Sequence, residues 1–204
     1  MITFAAATLR TTVLAFIFVL AAVSAAELPI RTYKSNDNRY VSEGTVHFDR
    51  PYTNIRHYLT DFDRYNAWAF RGLSGDDQVS KNFVLLLKGL TYAAAANVFT
   101  VAYDVNLIWP FGSRQNTLVL GVTDSDTIRA RSIRFALSTP SILVNEAVVI
   151  LTMSPSGSGS DVHFYTIISV NSFFSLFFTM DTYKANVEWR IRRVIDNLVT
   201  YIKG

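Results

Sequence analysis

Apolar and polar positions alternate with a period of two over most of the chain, and the period lengthens to that of a helix in two places. Thr45, His47 and Asp49 flank Val46 and Phe48, the pattern of a half-buried strand. Pro51 then suits the first turn of a helix, where its missing N–H costs nothing. Ile55, Tyr58 and Leu59 recur at helical spacing, and Asp61 stands where it can cap a second short helix through 63–65. GLSGDD at 72–77 is a turn-rich connector. Beyond it the period is two again. Residues 79–87 form one apolar run, and over 97–107 Phe99, Val101, Tyr103, Val105 and Leu107 share a face. Residues 117–122, 128–137 and 147–153 read as further strands, and SPSGSGS at 154–160 as a flexible hairpin loop. A closing strand at 162–170 puts Val162, Phe164, Thr166, Ile168 and Val170 on one side. With hairpin-length spacing throughout, about seven strands of an antiparallel sheet are expected. The last helix, 179–203, carries Tyr183, Val187, Ile191, Val194, Leu198 and Ile202 as a single apolar stripe. Such a stripe must lie on something, and the sheet is the one large partner.

Composition agrees with a packed domain. Half of the 204 residues are apolar and 17% are charged, which argues for one core and against disorder. Residues 1–26 read as a secretory signal peptide: Arg10 is the positive flank, VLAFIFVLAAV at 13–23 the apolar stretch, and Ser24-Ala25-Ala26 the small-residue cleavage site. The alternative is an uncleaved membrane anchor, but a span needs about 20 apolar residues and this run is shorter. Cleavage near Ala26 would leave residues 27–204, with 27–38 as a polar lead-in, exported to a periplasm-like compartment or secreted. It removes Arg10 and no acid, lowering the net charge from +3 to +2, too weak to imply nucleic acid. There is no cysteine, which excludes a lipoprotein anchor and any disulfide.

The order of strand, Pro-led helix, Asp, aromatic and Trp68 in VHFDRPYTNIRHYLTDFDRYNAW (46–68) resembles the opening of the START-like, or polyketide cyclase-like, superfamily (SRPBCC proteins). The whole order β-α-α, six strands, α matches its helix-grip fold. The resemblance implies an α+β domain over 27–204, with a curved antiparallel sheet wrapped round a long C-terminal helix and a cavity for apolar ligands. IWPFGSR at 108–114 is similar to a START-type loop at Trp109, Pro110 and Arg114, although Gln115 stands where the family has an acid. A plain hairpin loop reads as well there. FFSLFF at 173–178 falls where helix-grip proteins have the cavity mouth. Its phenylalanines either gate the cavity or dip into a membrane interface during ligand transfer, or else close the core as a buried first turn. The alanines of 93–96 are an apolar loop tip or a tightly packed strand end.

No catalytic signature is present: no P-loop, G-x-S-x-G or HExxH. His47, His57 and His163 are scattered, and His47 and His163 fall on the polar parity of their strands, so surface roles are expected for them and no metal site. Asp61 and Asp63 read as caps. Arg129 and Arg131 share a face, most simply the solvent face, while Arg134 has the opposite parity and points inward if no bulge intervenes; there a lone charge would want an anionic headgroup. The expected ligand-contacting set is Trp68, Phe99, Tyr103, Trp109, Arg134, Phe135, Phe164, Phe173, Phe177, Val187 and Ile191. The leading expectation is a noncatalytic carrier of a hydrophobic small molecule or lipid, with transient membrane contact and no cofactor. The alternatives are a cyclase- or aromatase-type enzyme, which needs a positioned acid or base in the cavity, a coenzyme-Q-binding or complex-associated module of the same fold, and a protein-interaction module.

Overall fold

The computed structural model describes residues 29–73, 83–107, 113–141, 143–176 and 178–203. The expected signal peptide, Trp109 with the rest of 108–112, and Phe177 lie outside the described residues. The strands are β1 (Arg31–Lys34), β2 (Tyr40–Phe48), β3 (Phe83–Ala93), β4 (Val98–Leu107), β5 (Ser113–Asp126), β6 (Arg131–Leu137), β7 (Val144–Ser156) and β8 (Gly159–Val170). They form one unclosed antiparallel sheet in the order β1-β2-β8-β7-β6-β5-β4-β3. The strand beyond the expected seven is β1, whose RTYK carries no apolar alternation; its pairing to β2 (Thr32 opposite Ser42) gives it a place.

Pairing explains the curvature. β5 pairs with β4 from Ser113 to Gly121 and with β6 from Leu120 to Asp126, so one long strand serves two partners in turn. Register shifts at Leu87/Gly89 and Val144/Glu146 add local twist on either side. The expected flexible loop at 154–160 is instead a two-residue turn between Ser156 and Gly159, with Gly157 at φ +60°, a backbone state that suits the first central position of a tight hairpin. The alanines of 94–96 are an exposed turn.

Helices α1 (Tyr52–Thr60) and α2 (Tyr65–Trp68) flank a 3₁₀ turn at Phe62–Arg64. Ile55 and Leu59 are buried, as their spacing predicts. Asp61 occupies the expected N-cap position, but its side chain makes no capping bond and pairs instead with Arg64 at 3.3 Å. After the short α3 (Ser172–Ser175), the C-terminal helix runs as α4 (Met180–Tyr183), a π turn (Lys184–Glu188) and α5 (Trp189–Lys203). Thr179 caps it, accepting from the Thr182 N–H at 3.2 Å.

The arginines of β6 reverse the expected arrangement. Ile133 and Phe135 take the core, so Arg134, on the other parity, is exposed on the outer face and offers nothing to an enclosed ligand. Arg131 shares the parity of Ile133. Its side chain is only 17% exposed, and its Nε donates to Asp124 Oδ1 at 2.8 Å.

Candidate functional site

The concave face divides into two ends. Where β2 finishes at Phe48 and β8 begins, α1, α2 and the second half of α5 close over the sheet. Phe99 is the hub of this end, with ring centroids 4.7 Å from Tyr92, 5.4 Å from Tyr65, 5.7 Å from Phe135 and 5.9 Å from Phe62. Trp68 stacks on Tyr201 of α5 at 6.0 Å, and Asn197 Nδ2 donates to the Arg71 carbonyl at 2.8 Å. Leu198 and Ile202 are buried here. Burial removes most of the solvation of a phenolate, and it pushes the Tyr65 hydroxyl strongly up.

At the other end, where β2 begins at Tyr40 and β8 finishes, the lining turns polar. Thr32 Oγ1 donates to Glu188 at 2.8 Å and lies 2.9 Å from Ser42 Oγ. Ser42 Oγ is 3.0 Å from the Tyr183 hydroxyl, and Thr166 donates to the Ser42 carbonyl at 3.2 Å. Arg192 closes the chain on Glu188 at 2.9 Å. Burial raises the Tyr183 hydroxyl, and the Ser42 and Thr166 hydroxyls partly offset this. The Tyr40 hydroxyl donates to the Phe178 carbonyl, and its ring stacks on Tyr183 at 5.0 Å. Glu188 therefore sits in the π turn with its carboxylate already engaged. Of this network only Tyr183 and Thr166 carried a signal in the sequence, through inward parity; a serine and a threonine in polar-looking strands carried none.

On the inner side of the α1–α2 end a cavity of about 40 Å³ remains, wholly apolar, lined among others by Phe48, Trp68, Leu151, Phe164, Val194 and Leu198. Gly44 shapes it. A Cβ there would stand 2.6 Å from the Phe164 ring, so glycine is what lets that ring lie across β2. The cavity holds little more than a water's share of liquid, about 30 Å³. Val194, Ile195 and Leu198 of α5 lie over it, and the middle of the stripe, Val187, Ile191 and Val194, is only half-buried, between Tyr183 and Leu198, which are buried.

The expected contact residues divide accordingly. Trp68 and Phe164 line the cavity, and Phe99, Phe135 and Tyr103 are buried in the core around it. Val187 and Ile191 lie on the half-open helix segment, while Phe173 projects outward, 48% exposed, with Leu176 beyond it at 74%. The Trp68 indole N–H and the Tyr103 hydroxyl find no hydrogen-bond partner among the described residues. Ser141 lies near enough to Tyr103 to lower its pKa slightly against the dominant upward push of burial, but outside hydrogen-bonding geometry. All three histidines are exposed, His47 with Asp161 at 2.7 Å. Among the described residues no three His, Asp or Glu side chains gather as metal ligands, and no helix is long and apolar enough to cross a membrane.

No protein-family model matches the sequence, nor does any curated protein. Solved structures do match. The di-domain ARO/CYC BexL from the BE-7585A biosynthetic pathway superposes with a TM-score of 0.51 at 8% identity, covering 81% of this chain and 50% of that one. A conserved protein from Geobacillus kaustophilus gives 0.51 at 9% identity, over 80% of this chain and 95% of that one. A START superfamily protein from Mycobacterium smegmatis gives 0.49 at 9% identity, over 80% and 97%. Likeness at this level is one of fold, the helix-grip arrangement of an open antiparallel sheet and a long C-terminal helix.

Proposed function

We propose that this chain is an exported, noncatalytic carrier of a hydrophobic ligand, a lipid or apolar metabolite, held between the concave face and the C-terminal helix. The observation that carries the reading is the wholly apolar cavity under a helix whose middle stripe residues, Val187, Ile191 and Val194, are left half-buried. Binding would desolvate the ligand at about 25 cal/mol per Å² of apolar surface buried. A cavity of about 40 Å³ holds only a small group, so entry of a larger one requires the helix to lift where Val194, Ile195 and Leu198 cover it. The π turn at Lys184–Glu188 gives that motion a natural hinge, since π turns interrupt the regular helical ladder. Ile202, buried beyond the cavity, would stay anchored. Ligand would be exchanged in transient contact with a membrane.

A second reading, a protein-interaction module, draws support from the smallness of the cavity. The enzyme reading has less: no histidine faces inward, and Glu188 is committed to Thr32 and Arg192. The test combines extraction with cavity filling. Mass spectrometry of the purified protein should find co-purifying apolar molecules, and a fluorescent fatty-acid probe should bind saturably. Val194→Trp should abolish probe binding while the protein stays folded, since overpacking costs about 1–3 kcal/mol. A folded wild-type protein that carries nothing and ignores the probe would leave the interaction module standing.

A further inference from the structure

A second concavity lies outside the grip. It has a volume of about 210 Å³ and is lined by Lys34, Asn38, Asn145, Ser169, Ser172 and Ser175, beside Tyr40 and Val170. Its chemistry differs from that of the inner cavity: one ammonium, two amides and three hydroxyls, with no carboxylate among the lining residues. Arg39 is taken up by Glu146 at 2.9 Å and Asp37 at 3.1 Å, a trio that sums to one negative charge, which leaves Lys34 as the cation of the cleft's own lining. Lys34, with its Nζ 5.1 Å from the Tyr40 ring centroid, forms no ion pair among the described residues. A single cation ringed by neutral donors suits a monoanion of tetrahedral oxygens, such as a phosphodiester.

The turn that forms one wall supplies the second half of the argument. In α3, Ser172 and Ser175 are three residues apart and so share the face turned to the cleft. Phe173 and Leu176, also three apart, share the next face, and both are exposed. Asn171 holds the turn, its Oδ1 accepting from the Phe173 N–H at 3.1 Å. A phosphate-sized polar cleft thus sits directly beside two outward apolar side chains, which is the vertical order of headgroup and acyl chain in a phospholipid leaflet.

We infer that this cleft is a phospholipid headgroup site, and that Phe173 and Leu176 enter the acyl boundary when it is occupied. The inference rests on the carrier reading only for the reason to visit a membrane. Residues 1–26 are themselves apolar, so the test must read this surface locally. The full chain has no cysteine, and a single Leu176→Cys can carry an environment-sensitive fluorophore. Ile128→Cys, fully exposed in the turn after β5, serves as the remote control.

On vesicles of phosphatidylcholine with phosphatidylglycerol, the label at 176 should shift to the blue and be quenched by acyl-chain-tethered quenchers, while the label at 128 should do neither. Adding Lys34→Gln should weaken the effect about fivefold, the factor for one cation at an anionic surface. The proposal is overturned if the label at 176 stays in water while protein sediments with vesicles, or if the label at 128 buries equally. Saturable binding of inorganic phosphate without burial at 176 also overturns it, in favour of a soluble-anion site. The label reports docking whether or not the inner cavity fills. Failure here therefore leaves the carrier reading intact, and loss of probe binding leaves docking intact.

Discussion

The two ends of the grip use the same helix differently. At the α1–α2 end, aromatic rings fill the concave face and the second half of α5 is buried on them. At the Tyr40 end, hydroxyls and one carboxylate form a connected network, and the helix above it buries Tyr183 and Asn186 but leaves Val187 and Ile191 half-buried, with a π turn in its path. Ring packing is dense, nondirectional and costly to open. A hydrogen-bonded network holds one geometry but yields with little apolar surface to expose, because net hydrogen bonds contribute only about 1 kcal/mol each. The molecule therefore reads as a fixed end that carries stability and an end that yields more easily.

The largest expected effect tests that division directly. Phe99→Ala removes the hub of four ring contacts and should cost about 3–5 kcal/mol in urea unfolding. Val187→Ala, on the same grip but in the π turn, should cost about 1 kcal/mol or less, because a half-buried side chain has less to lose. Equal losses would break the comparison.

Gly44→Ala comes next and acts between the ends. Its Cβ would meet the Phe164 ring at 2.6 Å and the Pro29 carbonyl oxygen at 2.8 Å, so the ring must swing into the cavity. Overpacking of this kind costs about 1–3 kcal/mol. Thermal melting should register it, and probe binding should fall with it. A melt unchanged from wild type would mean that Phe164 is not held where the cavity needs it.

Much of the architecture could be read from the chain because it rests on burial, and burial leaves a period. Val162, Phe164 and Thr166 face inward as their alternation requires, and the stripe from Tyr183 to Ile202 marks the gripped helix. What escaped was structure held by backbone or by polar contacts. β1 exists through its pairing with β2. The mirror-image parity of Arg131 and Arg134 follows from Ile133 and Phe135 taking the core. The π turn shifts the helix against a stripe that looks regular on paper. The Thr32–Ser42–Glu188 cluster has no sequence signature at all, since it joins residues 156 apart.

Tyr183→Phe probes the yielding end with a smaller effect. It deletes one hydroxyl from the network but leaves Ser42 its contact with Thr32. The loss should be about 1 kcal/mol in urea unfolding. A loss as large as that for Phe99→Ala would show the network to be structural in the same sense as the ring cluster.

The smallest effect is expected on the outer face, away from both ends. The hydrogen bond that the His47 ring donates to Asp161 raises the His47 pKa, and Asp49 adds to the pull at 3.4 Å. The same bond lowers Asp161, with Ser156 helping. Because the native imidazole holds its proton more tightly than the unfolded one, its contribution is complete below the ordinary histidine pKa, about 6.5, and is lost as pH rises through the raised native value. The carboxylate's contribution runs the other way: complete above about pH 4, and lost as pH falls through its lowered native value. The pair is thus at full strength only between those limits. An NMR titration should place the His47 midpoint above the ordinary range, and Asp161→Asn should bring it back towards that range. Because both groups are solvated and belong to neither end of the grip, probe binding should stay level across the same pH range. Binding that followed the His47 titration would show that the outer face of β2 communicates with the cavity beneath it.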